Sequence, residues 1–163
     1  MTVAELNALD RDRFVQVLGW IFEGSPWVAE RAWQARPFAD LDMLHQQMTE
    51  VLAHATRDEQ LALLRAHPDL GARARMSDAS VGEQTSVGLD RLSPREFRRL
   101  HRLNSAYRAK FGFPFLYAVK GSTPQQILDA LQQRLPRAAD EEFAEALRQV
   151  GRIARFRLDD LDF

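Results

Sequence analysis

Apolar residues recur along most of this chain at helical spacing, and polar capping residues mark where each run begins. Thr2 with Glu5 reads as a capping box that opens a short first helix. Asp10 precedes Phe14, Val17, Leu18, Ile21 and Phe22, a stripe with the repeat of one helix face. Ser25-Pro26 predicts an N-cap with proline in the first turn, and Arg36-Pro37 ends that helix. Asp40 starts another, with Leu41, Leu44, Met48, Leu52 and Ala55 on one face. Thr56 with Glu59 opens the next, which His67-Pro68 stops. Ser93-Pro94 with Glu96 starts a strong helix that carries Phe97, Leu100, Asn104, Tyr107 and Phe111 on one side. Thr123-Pro124 opens a helix through Leu128, Leu131 and Leu135, and the last helix is predicted from about Asp140 to Leu161.

Two stretches break this rhythm. Between His67 and Leu92 there are three glycines and no sustained apolar stripe, although Ser80 and Glu83 have the spacing to cap a short helix. A long loop inside a compact domain is uncommon and often functional. The segment FGFPFLYAVKG, starting at Phe111, is apolar and aromatic with a proline inside it, and reads as extended. The expectation is an all-α fold: a single domain over residues 1–163, a bundle of about eight helices interrupted by these two irregular segments.

Composition supports that fold class. Ala (22) and Leu (21) dominate, whereas Ile (3), Val (9) and Thr (5) are few, which favours helix over strand. At 163 residues the chain can bury about two-thirds of its unfolded surface, so its core needs no staples. The absence of cysteine removes disulfides, thiolate metal sites and a cysteine nucleophile together. No apolar run approaches the roughly 20 residues of a membrane span, and the charged, amphipathic start MTVAELNALDRDRF has no signal core. No membrane partner is therefore expected.

The net charge of -1 conceals a split. Residues 91–120 hold eight basic side chains and one acidic one, a local +7 against -8 elsewhere. A basic helix over 94–111 can be a nucleic-acid surface. Its Arg95, Arg98, Arg99, Arg102 and Arg108 flank the apolar stripe without interleaved aromatics, which favours a solvated or internally paired face and no nucleic-acid partner.

Three side chains carry candidate chemistry. His67 sits at a helix end before a proline and a glycine-bearing loop, where an imidazole can move protons near neutral pH or simply complement a helix C-terminus. Glu83 is either the second half of a capping box with Ser80 or a carboxylate presented by an irregular segment, with the amide of Gln84 beside it. Arg157 lies at the inward positions of the last stripe, relative to Val150 and Ile153. An inward arginine must pair with an internal acid or face a cleft, where its fork suits a carboxylate. His45, His54 and His101 lie in predicted helices with no metal-ligand spacing, so no metal site is expected.

Four motifs in order, HPDLGARA, SDASVGEQTSVGL, NSAYRAKFGFPFLYAVKG and IARFRLDDL, resemble the 2-oxo-4-hydroxy-4-carboxy-5-ureidoimidazoline (OHCU) decarboxylase family. The resemblance covers nearly the whole chain. It implies an all-α enzyme that forms (S)-allantoin in urate degradation, commonly as a homodimer and with no metal or organic cofactor. It makes His67 the catalytic proton donor, with Pro68 beside it in the pocket. It places substrate contacts on Ser80, Val81, Gly82, Glu83 and Gln84, with Glu83 as the functional carboxylate. Phe115, Leu116, Tyr117, Ala118 and Val119 would line the ring site, where Tyr117 is bulkier than the expected aliphatic residue. Arg157 matches the arginine of the family's R-L ending, with Arg155 as the neighbouring choice. The chain end LDDLDF carries no S-K-L address, so a cytoplasmic, bacterial setting is expected. Two alternatives stand beside this one: a non-catalytic module that binds nucleic acid or an acidic partner through helix 94–111, and a decarboxylase of a related ureido or imidazoline acid.

Overall fold

Most of the helices begin where a short polar side chain takes up an orphan backbone N–H, as the computed structural model shows along the chain. It describes residues 1–72 and 76–161. Among these are nine α-helices: α1 (Val3–Ala8), α2 (Arg11–Leu18), α3 (Trp27–Ala32), α4 (Leu41–Ala53), α5 (Arg57–Arg65), α6 (Asp78–Ser86), α7 (Pro94–Phe111), α8 (Pro124–Arg134) and α9 (Ala139–Asp159). No strand occurs among the described residues, and the all-α expectation holds. Capping boxes are complete at Thr2/Glu5, Thr56/Glu59, Ser93/Glu96 and Thr123/Gln126, while Asp10 and Asp40 cap α2 and α4 through one carboxylate oxygen.

Three boundaries differ from the sequence pattern. The stripe after Asp10 outlasts its helix: α2 stops at Leu18, and Ile21 and Phe22 enter the core from the turn that follows Gly19. Ser25 does not cap α3. Its hydroxyl donates to the carbonyl of Glu23, and Pro26 takes the N-cap position. In the irregular stretch the helix starts three residues earlier than Ser80, because Ser77 accepts the N–H of Ser80 at 3.1 Å.

The chain forms two compact units. One comprises Met1–Ala66 with Gly151–Phe163, and the other His67–Val150. In the first, α3 packs against α2 and α4. Phe14 stacks on Phe38 at 6.1 Å, and Asn7 holds Phe38 by accepting its N–H and donating to its carbonyl. In the second, α7 packs along α8 and turns Leu100, Asn104 and Tyr107 inward. Gly112, in the left-handed conformation, ends α7 and releases the aromatic segment.

The first unit carries one charge pair with a predictable acid response. Glu59 accepts from Arg31 and also closes its own capping box on Thr56. The arginine first, then the Thr56 N–H, hold its carboxyl down to about 2. A depressed carboxyl stabilises the fold above its ordinary value of 4.5 and loses that contribution as the pH falls toward 2. Thermal melts of wild type and Glu59→Gln should therefore differ near neutrality and converge between pH 4.5 and 2. The gap should be small, since solvent screens an exposed pair.

Candidate active site

His67 comes just after Ala66, the C-cap of α5, and is buried, at 5% exposure, with Pro68 half-buried after it. The loop behind it is fixed by two side-chain amides. Gln84 Oε1 accepts the N–H of Gly71 at 2.8 Å, and Asn104 Nδ2 donates to the carbonyl of Leu70 at 2.9 Å. Gly71 has a positive φ of 69°, and a Cβ there would sit 2.6 Å from Leu100 Cδ2. Both the conformation and the space call for glycine.

On α6, Ser80 and Gln84 turn inward, whereas Val81 and Gly82 face outward and Glu83 is half-buried. With Ser77 as the cap, Glu83 stands two turns into the helix and has no capping role. That removes the capping-box alternative for Glu83. A cavity of about 470 Å³ lies against this helix, and its wall includes Gly71, Val81, Gln84, Thr85, Leu89 and Phe97. Among the described residues, no group of three His, Asp or Glu side chains is gathered as a metal-ligand set.

The segment after Gly112 is held by a buried charge network. Tyr107 Oη donates to Glu142 Oε1 at 2.6 Å, and Arg134 Nε donates to the same oxygen at 2.8 Å. Arg137 Nη1 lies 3.2 Å from the other oxygen. Burial, then the bond to Glu142, pushes the Tyr107 hydroxyl well above its ordinary pKa. Around Tyr107 stand Phe111, Phe113 and Phe115, with ring centres 4.5 to 6.0 Å away. Phe115, Leu116, Ala118 and Val119 are buried, and Tyr117 is half-buried with its hydroxyl 3.0 Å from Ser122 Oγ.

Arg157 belongs to the first unit and is inward, at 3% exposure. Of its two expected settings, pairing with an internal acid is present. Its Nη2 is 3.0 Å from Glu23 Oε2, and its Nη1 donates to the carbonyl of Trp20 at 3.0 Å. Arg155, by contrast, pairs on the surface with Asp42 and Asp159. Of the basic helix, Arg99 pairs with Asp129, Arg108 with Asp69, and Lys110 donates to the carbonyls of Leu135 and Arg137.

The profile of the OHCU decarboxylase family matches residues 7–159. The chain belongs to this family. It is 46% identical over 161 residues to the 2-oxo-4-hydroxy-4-carboxy-5-ureidoimidazoline decarboxylase of Halalkalicoccus jeotgali, covering 99% of this chain and 92% of that protein. It is 48% identical over 158 residues to the protein of the same name from Haloferax volcanii, covering 97% and 94%. Its fold matches a solved (S)-allantoin synthase with a TM-score of 0.80 at 32% identity. That match takes in 97% of this chain, which spans about half, 53%, of the solved one.

Glu23, Glu142 and Gln149 were not singled out by sequence pattern. Glu142, Gln149 and Arg157 all lie on the face of α9 that Ala146, Val150 and Ala154 bury. The criterion that marks Arg157 as inward therefore marks the other two as well. Glu23 lies in a turn, where no periodicity could reveal it.

Two outcomes follow from this geometry. Glu23→Ala leaves Arg157 buried without its acid and should destabilise the protein by about 3–5 kcal/mol, read as a lower urea midpoint. Gly82→Ala should stabilise it by up to about 1 kcal/mol, since no described atom lies within 4 Å of the added Cβ and the helix favours alanine.

Proposed function

We propose that this chain decarboxylates OHCU to (S)-allantoin in urate degradation, without a metal or organic cofactor. The observation that carries the proposal is the family match from 7 to 159, with relatives of that name 46% and 48% identical over nearly the whole chain. The extent of the match, from 7 to 159, also supports residues 1–163 working as one functional domain.

The substrate supplies its own electron sink. OHCU bears its carboxylate on a ring carbon that also carries a hydroxyl, next to a C=N bond. As the bond to CO2 breaks, its electron pair forms a C=C bond to the neighbouring carbon, and the imine pair moves onto the ring nitrogen, which takes a proton. The hydroxyl then loses its proton as it becomes a carbonyl, and the ureido-bearing carbon gains one on a single face. One proton is taken up and one CO2 leaves. The protein has to supply placement, charge environment and a stereospecific proton.

His67 is the proposed proton donor, and its burial beside Pro68 supports it, because a shielded acid can deliver to one face of the ring. Glu83 supplies a carboxylate, either to orient His67 or to bind the ureido N–H groups. The remainder of Ser80 to Gln84, with Phe115 to Val119, forms the substrate surface. Arg157 is proposed for a substrate oxygen on its motif alone. A homodimer and a cytoplasmic setting complete the proposal. Family resemblance supports the first, and the second accords with the finding that no helix of the described residues is long and apolar enough to cross a membrane.

Circular dichroism of OHCU turnover tests the assignment. Wild type should yield (S)-allantoin, and His67→Asn should turn over about 10²- to 10⁴-fold more slowly, as expected for loss of a general acid. Near-wild-type turnover in that variant would remove His67 from the role, and no turnover by the wild type would remove the activity.

A further inference from the structure

Segment 115–119 has two backbone edges, and the second unit grips one of them. Arg134 Nη1 donates to the carbonyl of Leu116 at 2.7 Å, and Gln149 Oε1 accepts the N–H of Ala118 at 2.9 Å. In an extended chain, the carbonyl of one residue and the N–H two residues later share an edge, while the residue between them turns both its groups the other way. The rings of Phe115 and Tyr117 stack at 5.9 Å and 16°, the two-residue repeat that an extended chain produces. Among the described residues, none bonds to the N–H or the C=O of Tyr117, the half-buried member of the segment.

Both grips are themselves held. Arg134 is anchored by Glu142 and lies 4.5 Å over the ring of Phe115. Gln149 Nε2 donates to Glu145 Oε1 at 3.0 Å, which leaves its oxygen turned to Ala118. Burial raises the Glu145 carboxyl, but the bonds from Gln149 and Arg148 outweigh it and keep the group below its usual range. The amide of Gln149 therefore cannot flip without placing an oxygen against a carboxylate.

The geometry points to Arg134 and Gln149 as positioning residues for substrate: by holding the edge of Leu116 and Ala118, they present the peptide N–H and C=O of Tyr117 to the heterocycle. A cyclic urea offers an N–H beside a C=O, the complement of that donor and acceptor. The inference rests on the proposed use of 115–119 as the ring site. It adds two residues that never touch substrate and a choice of edge.

Amide NMR of the labelled wild-type chain, titrated with (S)-allantoin, tests the edge. The Tyr117 amide should shift saturably and exchange at least about tenfold more slowly with ligand, and the Ala118 amide should be slow with or without it. A response at Ala118 and none at Tyr117 overturns the edge assignment. Where (S)-allantoin moves no amide from 115 to 119, the ring-site reading itself falls. Turnover tests the positioning. Gln149→Met keeps the bulk but removes the acceptor, and should raise KM for OHCU about tenfold with kcat within about twofold. The double variant Gln149→Glu/Glu145→Gln returns an acceptor to Ala118 and should restore KM to within about threefold. An unchanged KM in Gln149→Met, or a raised KM in the folded double variant, overturns the positioning role.

Discussion

A carboxylate with no exposure to water has to be matched by the chain itself, and Glu142 imposes that demand on the second unit. One oxygen takes the hydroxyl of Tyr107 and the Nε of Arg134, and Arg137 approaches the other. Each of these partners is committed elsewhere too. Tyr107 organises the aromatic rings below α7, and Arg134 reaches on to the carbonyl of Leu116. An irregular segment without helical hydrogen bonds thereby gains fixed coordinates from charge. The first unit solves a similar problem at Glu23, where a turn too short for its own ladder is tied to Arg157. In both places a buried ion pair sets the position of backbone that secondary structure does not.

The helices were legible because their signals are local. A capping box lies within four residues, and those at Thr2, Thr56 and Ser93 form as read, while the helix opened by Thr123-Pro124 gains a box from Gln126 as well. α6 was harder, since it has almost no apolar face and two possible serine caps three residues apart. Its early start at Ser77 turns Glu83 from a capping candidate into a mid-helix carboxylate. Of the site, the inward setting of Arg157 was visible, but its partner was not. Glu23 comes from a turn 134 positions earlier in the chain, and no spacing rule connects the two. Glu142 stands in the first turn of α9, where an acid is ordinary, so its place on the buried face of that helix draws no notice in the sequence.

The helical frame of the chain suits the proposed chemistry. A substrate that accepts its own electrons asks the protein for geometry, and rigid helices with fixed loops provide it. The glycine at 71 and the amide of Gln84 hold the loop after His67 to one path, just as Arg134 and Gln149 hold the aromatic segment. The second unit thus invests its buried polar groups in irregular backbone, the part of the fold with least order of its own.

The division of the chain into a continuous unit and one made from both ends bears on synthesis. Residues 67–150 are contiguous, so every partner within that unit is at hand once the stretch has been made. The other must wait. Glu23 is translated early, and its arginine arrives only when residue 157 leaves the exit tunnel. Until then Glu23 lacks the guanidinium that it meets in the folded unit. The unit made from both ends is therefore closed by its C-terminal stretch, which brings Arg157 to an acid laid down 134 positions earlier.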